Sequence, residues 1–173
     1  MKKILVTGCA GFIGSHLCEK LLALGYQVSG IDNFDPFYSP TIKHKNLSNF
    51  INHPNFEFVE TDLSDKIELE KNFPAKIDLI VHLAAKAGVR PSIEDPSGYI
   101  KANIVATQNV LDIMKEQSIK KLAFASSSSV YGNTKATPFH EEMDVSNPIS
   151  PYAATKKACE LINYTYHHLY RLD

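Results

Sequence analysis

A glycine-rich turn that joins the first strand pattern to the first helical pattern constrains this fold more than any other feature. The aliphatic run from Lys3 to Thr7 leads directly into Gly8, Gly11 and Gly14, and apolar residues at helical spacing continue to Leu24. Glycine lets the backbone approach a ligand closely, and a helix N-terminus attracts anions through its free N–H groups and dipole. Similar glycines also occur in ordinary turns, but a strand, this turn and a helix in sequence predict a dinucleotide-binding βαβ unit.

Strand patterns and helical patterns alternate along the rest of the chain. Further strands are expected at residues 27–31, 56–60, 78–83 and 121–126. Further helices are expected at residues 41–51, 64–73 (with Ser64 as its cap), 96–117 and from Pro151 onward, with Ser150 as N-cap. Such alternation produces right-handed βαβ units and a parallel sheet covered on both faces. We therefore expect one α/β domain over residues 1–173, a Rossmann-type doubly wound parallel sheet in three αβα layers.

Charge and cysteine content exclude several classes of partner. The formal net charge is −1 and no basic stripe is present, so nucleic acid is not an expected partner. No apolar run reaches membrane-spanning length, and three cysteines without a C-x-x-C spacing are typical of reduced thiols. We therefore expect a soluble, cytoplasmic protein without a membrane partner. His140 and the acidic residues near it lack ligand spacing, so no metal site is expected.

An aspartate at the end of the second strand pattern indicates which dinucleotide is bound. Asp32 follows Gly14 by 18 residues, where a carboxylate accepts hydrogen bonds from the adenosine ribose and repels a 2′-phosphate. NAD is therefore the expected cofactor, rather than NADP. The predicted cofactor-binding residues are Gly8, Gly11, Phe12, Ile13, Gly14, Asp32, Asn33, Asp62, Leu63, Leu83, Ala84, Ala85, Tyr152 and Lys156. For two groups an alternative stays open, because Asp62 also fits an ordinary turn or cap and residues 83–85 also fit plain packing.

Two residues one turn apart in the last helix, with a serine before them, form the predicted catalytic set. Tyr152 and Lys156 share a helix face at the i, i+4 spacing, and Ser127 precedes Tyr152 by 25 residues. A tyrosine with its ordinary pKa near 10 is a poor base at neutral pH, and a nearby ammonium stabilises the phenolate. Ser127 is expected to share a hydrogen bond with a substrate hydroxyl. Such a pair is often solvated surface, but after a dinucleotide turn it predicts hydride chemistry on an alcohol.

Two other functional classes fit the sequence less well. A hydrolase would use Ser127 as nucleophile, but the chain has no G-x-S-x-G elbow. A non-catalytic NAD-binding protein would keep the glycine turn, but it has no need for Ser127, Tyr152 and Lys156 together. The retention of all three residues favours an enzyme.

The combined motifs resemble the extended short-chain dehydrogenase/reductase family, which contains NAD-dependent nucleotide-sugar epimerases and dehydratases. The resemblance runs across the whole chain and rests on Gly8, Gly11, Gly14, Asp32, Asp62-Leu63, His82 to Ala85, Asn103, Ser126 to Gly132 and Tyr152 to Lys156. Within the family, residues 32–38, 87–96 and 127–132 are most similar to those of UDP-glucuronate 4-epimerases. The similar dehydratases carry an acidic pair directly before Val130, and the decarboxylases carry a glutamate there, whereas this chain has Ser128 and Ser129.

The resemblance implies a 4-epimerase that interconverts UDP-glucuronate and UDP-galacturonate through a 4-keto intermediate. In such an enzyme Tyr152 takes the proton of the sugar 4-hydroxyl, and Arg90 and Ser127 contact the UDP-sugar substrate. Asn103 would be a structural residue, and Arg90 also fits an exposed loop arginine. Another nucleotide-sugar epimerase or dehydratase of the family is the alternative. The family further implies a homodimer built on the helices that start near Pro96 and Ser150.

The resemblance covers only the N-terminal half of a typical family member. Members continue with further strands and a small C-terminal domain that holds the nucleotide sugar. We therefore expect residues 1–173 to form an incomplete dinucleotide-binding domain, truncated before the substrate domain. Such a fragment is expected to bind NAD and to convert a UDP-sugar weakly or not at all.

Overall fold

The computed structural model describes residues 2–173, which are built around a five-stranded parallel sheet. The strands are β1 Lys3–Thr7, β2 Gln27–Asp32, β3 Phe56–Glu60, β4 Leu79–His82 and β5 Leu122–Phe124. They lie in the order β3-β2-β1-β4-β5, and each neighbouring pair is parallel. The order reverses between β1 and β4, and doubly wound sheets bind ligands outside the carboxyl ends of the strands at such a point.

Helices connect the strands and cover both faces of the sheet. The α-helices are α1 Phe12–Ala23, α2 Pro40–Ser48, α3 Lys66–Asn72, α4 Val89–Glu94, α5 Pro96–Tyr99, α6 Ala106–Glu116 and α7 Pro151–Tyr170. A π-helical segment, Ile100–Val105, joins α5 to α6, and a 3₁₀ turn, Ser128–Tyr131, follows β5. As the sequence predicts, Ser150 caps α7, because its Oγ accepts the Ala153 N–H at 3.1 Å.

Alternate side chains of β1 point to opposite faces of the sheet, and each face has its own core. Ile4 and Val6 pack in the core that includes Leu47 of α2 and residues of α1. Leu5 packs in the other core, with Val110 of α6 and residues of α3. The predicted doubly wound, three-layer α/β fold is therefore confirmed.

The first residues of α3 differ from the prediction. Its cap is Asp65, whose side chain accepts the Glu68 N–H at 3.1 Å. Ser64 instead donates its hydroxyl to Asp62 Oδ1 at 2.7 Å and its N–H to the same oxygen at 2.8 Å. This Asx turn holds Ser64 outside the helix, because its polar groups already have a partner.

The region between β4 and β5 also departs from the prediction. Helix α4 was not predicted, and the helix expected at residues 96–117 consists of α5, the π-helical segment and α6. Pro91 and Pro96 both stand in the first turn of a helix, where a backbone N–H has no intrahelical partner. Neither proline therefore breaks a helical hydrogen bond, and Pro96 was predicted to begin a helix. Strand β5 is also shorter, with three residues instead of six.

The described residues bear on the expectations for membrane spans, metal ligands and cysteines. Within residues 2–173, no helix is both long and apolar enough to cross a membrane. The same residues contain no group of three or more His, Cys, Asp or Glu side chains able to hold a metal ion. Cys9, Cys18 and Cys159 are free and buried, and burial raises the pKa of Cys18 to about 12. These thiols therefore pack as small apolar groups.

Candidate functional site

The glycine turn brings the backbone after β1 against the backbone after β4. Gly8 has a φ of +71°, and a Cβ on it would lie 2.9 Å from the N and Cα atoms of Ala84. A Cβ on Gly11 would lie 3.1 Å from the Gly8 carbonyl oxygen, and one on Gly14 would overlap that same oxygen. Only glycine fits these three positions without displacing backbone atoms. The close contact that Gly14 permits is with the turn itself.

The first turn of α1 leaves N–H groups for a ligand. Its N-cap is Gly11, which offers no side-chain acceptor, and no acidic residue stands in the first turn. The Phe12 and Ile13 side chains are 74% and 67% exposed. Free N–H groups and the positive end of the helix dipole attract an anion such as a diphosphate.

Asp32 is held at the end of β2 by hydrogen bonds to both of its carboxylate oxygens. Oδ2 accepts the Ala10 N–H at 3.1 Å, and Oδ1 accepts the Phe34 N–H at 2.9 Å. The residue is 7% exposed, and Lys43 Nζ lies 3.6 Å from Oδ1. Each oxygen retains lone-pair capacity for a further donor, such as a ribose hydroxyl.

A cleft outside the carboxyl ends of β1, β2 and β4 gathers most of the predicted cofactor residues. Its walls include Gly8, Gly11, Asp32, Asn33, Asp62, Leu63, Leu83, Ala84 and Ala85. Tyr38 and Lys43 also line the cleft, and neither was among the residues predicted from the sequence. Phe12, Ile13 and Gly14 are not among the residues that line the cleft.

Asp62 and Leu63 already have partners within the chain. Asp62 Oδ1 accepts two hydrogen bonds from Ser64, which is the turn role that the sequence left open. The Leu63 carbonyl accepts the Asn109 side-chain amide at 2.9 Å. These bonds fix the loop after β3 at the edge of the cleft.

A buried histidine, His82, links Thr7 at the end of β1 to Thr107 of helix α6. Thr7 Oγ1 accepts two backbone N–H groups just beyond β4, at 3.1 and 3.2 Å, and lies 2.7 Å from His82 Nδ1. The hydroxyl therefore donates to Nδ1, and His82 Nε2 donates to Thr107 Oγ1 at 3.1 Å. Burial, and to a smaller extent the Lys156 charge, lower the pKa of His82 to about 3. The network thus contains a neutral imidazole, a role that the family motif at His82 to Ala85 did not predict.

Lys156 lies buried at the carboxyl end of β5. It is 4% exposed, and its Nζ donates to the Ala125 carbonyl at 2.8 Å. The same atom lies 4.9 Å from the centroid of the Phe124 ring. Burial lowers the pKa of Lys156. Because an ammonium has three donors, hydrogen-bonding capacity remains for a ligand.

Ser127 caps the 3₁₀ turn after β5, and Tyr152 lies on α7 together with Lys156. Ser127 Oγ accepts the Ser129 N–H and donates to Ser129 Oγ, both at 3.2 Å. Tyr152 is half-buried in the first turn of α7, and its ring meets the Tyr99 ring edge-on with centroids 6.1 Å apart. Helix α7 packs against the 3₁₀ turn that Ser127 caps. The three predicted catalytic residues lie outside the walls of the cleft, farther along the same sheet edge.

Asn103 and Arg90 have contrasting environments. Asn103 is buried in the π-helical segment, where its side chain accepts the Lys86 N–H at 2.8 Å and donates to Thr155 Oγ1 at 3.0 Å. It therefore ties the loop after β4 to helix α7. Arg90 is exposed in the first turn of α4, which packs against α7.

The residues of the cleft fit a bound NAD. A backbone cradle that a Cβ would fill, a helix N-terminus without a side-chain cap and a carboxylate with spare acceptor capacity all border the same edge of the sheet. The cradle and the helix N-terminus suit a diphosphate, and the carboxylate suits a ribose.

The amino-acid sequence matches known proteins over nearly its whole length. Residues 5–173 match the family model described as GDP-mannose 4,6 dehydratase. The chain is 47% identical over 170 residues to a UDP-glucuronate 4-epimerase of Thermodesulfobacterium geofontis, a match that covers 98% of this chain and 52% of that protein. The chain therefore spans about half the length of the curated relatives it matches.

Solved structures give the same result. UDP-glucuronic acid 4-epimerase from Bacillus cereus, in complex with UDP-glucuronic acid and NAD, superposes with a TM-score of 0.85 at 37% identity, covering 98% of this chain and 54% of that one. UDP-N-acetylglucosamine 4-epimerase from Methanobrevibacter ruminantium, in complex with UDP-N-acetylmuramic acid, superposes with a TM-score of 0.86 at 38% identity, covering 99% of this chain and 52% of that one. The chain thus belongs to the GDP-mannose 4,6-dehydratase family of NAD-dependent nucleotide-sugar epimerases and dehydratases.

Proposed function

We propose that residues 1–173 form the NAD-binding part of a nucleotide-sugar 4-epimerase that interconverts UDP-glucuronate and UDP-galacturonate. One observation carries this proposal: the glycine cradle, the buried Asp32 and the buried Lys156 all lie at the carboxyl edge of one parallel sheet. A dinucleotide cleft and a tyrosine–lysine helix at one edge suit oxidation and reduction of an alcohol. The names of the relatives support the same class of substrate.

The proposed binding roles follow from the geometry of the cleft. The glycine turn and the first N–H groups of α1 hold the diphosphate, and Asp32 accepts hydrogen bonds from the adenosine ribose. Bound NAD supplies a hydride acceptor for the sugar C4 and a hydride donor for the return step. The small residues Ala84 and Ala85 leave room for the backbone of the cofactor beside Gly8.

The proposed chemical roles belong to three residues around β5. Tyr152 takes the proton of the sugar 4-hydroxyl as a general base and returns it after the keto sugar has turned. Lys156 places a positive charge in a buried position, which favours the phenolate, and has N–H groups for a ribose hydroxyl. Ser127 orients the substrate hydroxyl, and the exposed Arg90 is a candidate for contact with the UDP-sugar.

The residues before Val130 favour epimerisation over the other reactions of the family. Elimination of water or loss of carbon dioxide needs an additional acid–base group beside the keto sugar, and Ser128 and Ser129 cannot supply one at neutral pH. Ser129 is already bonded to Ser127 in the 3₁₀ turn. The family model is described by the name of a dehydratase, but this chain lacks the acids that such a reaction requires at these positions.

Apolar side chains on the outer helices support a homodimer. Ile93 of α4, Ile100 of the π-helical segment and Leu161 of α7 are 63%, 50% and 58% exposed. We propose that these helices pack against those of a second copy, because exposed apolar groups on neighbouring helices suit an interface. The free thiols suit the reducing cytoplasm.

Substitution of the proposed base tests the function. We expect this chain to bind NAD⁺ in calorimetry but to convert UDP-glucuronate weakly, because the relatives continue well beyond the matched region. In a chain extended by the corresponding C-terminal region of a relative, Tyr152→Phe should lower turnover by at least about a hundredfold, the contribution of general base catalysis, and leave NAD⁺ binding nearly unchanged. Tyr164→Phe, at a 69% exposed position of the same helix, is the matched control. Full turnover by Tyr152→Phe would refute the assigned role.

A further inference from the structure

Lys43 occupies a position of α2 that normally takes an apolar side chain. The buried residues on this side are Lys43, Leu47 and Phe50, at the i, i+4, i+7 spacing of an amphipathic helix. Lys43 is 7% exposed, whereas Lys45 of the same helix is exposed. Burying an ammonium is unfavourable unless another group compensates for lost hydration. The groups that surround the buried ammonium therefore indicate its role.

Lys43 stands at the N-terminal end of that buried side and borders the cofactor cleft, whereas Leu47 and Phe50 pack in the core. Lys43 lines the cleft, with Nζ 3.6 Å from Asp32 Oδ1 and 5.0 Å from the centroid of the Tyr38 ring. The separation of the ion pair is longer than a hydrogen bond, so the ammonium keeps N–H groups for a ligand. The other lysine of the cleft, Lys86, is paired with Asp95 at 3.3 Å.

Tyr38 gives a second sign that this wall receives a ligand. Its hydroxyl is buried and has no hydrogen-bond partner within residues 2–173. The same oxygen would lie 3.8 Å from a Cβ on Gly11, so it borders the glycine turn. A buried hydroxyl without a hydrogen-bond partner costs desolvation free energy, and a ribose or phosphate oxygen of a bound ligand would accept its hydrogen bond.

We propose that Lys43 is a specificity-determining residue that sets, together with Asp32, the choice between NAD and NADP. The inference rests on the proposed NAD binding. In the native pair, the ammonium partly neutralises the carboxylate and so limits the repulsion of a 2′-phosphate. Without the Asp32 carboxylate, the same ammonium becomes a binding group for that phosphate, since a group bonded at Asp32 lies within reach of Nζ.

The test is the ratio of the dissociation constants for NADP⁺ and NAD⁺, measured by calorimetry on this chain. Lys43→Met should raise the ratio about tenfold, because the Asp32 charge is then unopposed. Asp32→Asn should lower it by about 10-fold to 100-fold, the range of one charge-assisted hydrogen bond. Asp32→Asn/Lys43→Met should recover most of that decrease, and Lys45→Met should match the native chain.

Each outcome decides the proposal. Equal ratios for Asp32→Asn and the double variant, or an unchanged ratio for Lys43→Met, would overturn the role of Lys43 while leaving NAD binding intact. If the native chain binds neither dinucleotide, the proposed NAD site fails and this inference falls with it. If Asp32→Asn does not fold, as judged by circular dichroism, the comparison of Lys43→Met with the native chain decides alone.

Discussion

Replacement of Gly8 by alanine tests the close approach of the glycine turn to β4. An alanine there must adopt a φ of +71°, and its Cβ must share space with two backbone atoms of Ala84 at 2.9 Å. A left-handed conformation costs an L-residue about 1–2 kcal/mol. Overlap with backbone atoms, which cannot rotate away, adds about 1–3 kcal/mol. We therefore expect Gly8→Ala to lower the free energy of unfolding by about 2–5 kcal/mol.

Gly25 provides a control that separates the two costs. Its φ is +83°, and a Cβ there would meet no atom within 4 Å. Gly25→Ala therefore carries only the conformational cost, about 1–2 kcal/mol. The difference between the two variants measures the steric contact with Ala84 alone.

Urea denaturation followed by circular dichroism gives both free energies. Equal m-values in the three proteins would show that the denatured states are comparable. Gly8→Ala should also bind NAD⁺ more weakly, because any shift that relieves the overlap moves the cradle. If Gly8→Ala and Gly25→Ala lose the same free energy of unfolding, the close approach has no energetic weight and the reasoning is wrong.

Two further predictions concern the buried network and the last helix. His82 has a folded pKa of about 3 against an ordinary value of 6.5, so the unfolded chain binds the extra proton between these values. Its contribution to the free energy of unfolding should therefore fall by about 1.4 kcal/mol per pH unit as the pH drops below about 6. When the free energy of unfolding is measured by urea denaturation at several pH values, it should depend less steeply on pH in His82→Gln than in the native chain. Ser150→Ala should destabilise the fold by about 1 kcal/mol in thermal denaturation, because the Ala153 N–H loses its acceptor. The same pH dependence in His82→Gln and the native chain would contradict the first argument. An unchanged melting temperature of Ser150→Ala would contradict the second.

The fold was predictable where sequence signals are local. The bounds of β1 and β3 match the prediction residue for residue, and Ser150 with Pro151 marks the start of α7. The prediction was wrong where a signal is ambiguous by itself. Helix α4 was not predicted, and Pro91 in its first turn breaks no helical hydrogen bond. The π-helical segment has no sequence signature of its own.

The sheet explains why most of the predicted cofactor residues lie at one edge. Parallel pairing aligns Thr7 with Ile31 and with His82, and aligns His82 with Phe124. Residues just beyond these aligned ends therefore meet at one edge, although they are far apart in sequence. The strand ends predicted from the sequence are therefore enough to place Gly8, Asp32 and Ser127 near this edge, without knowledge of any side-chain contact.

Lys43 lies outside the reach of this argument, because a helix and not a strand brings it to the cleft. Helix α2 is polar in sequence, and its position depends on a contact with the turn, where the Asn46 amide donates to the Ala10 carbonyl at 2.9 Å. That bond, together with burial of Leu47, turns the preceding helical turn toward Asp32. By residue type alone, a lysine in this polar helix is expected to be exposed. Strand register thus determines which groups lie at this edge of the sheet. The packing of α2 determines that the Lys43 ammonium lies beside the Asp32 carboxylate.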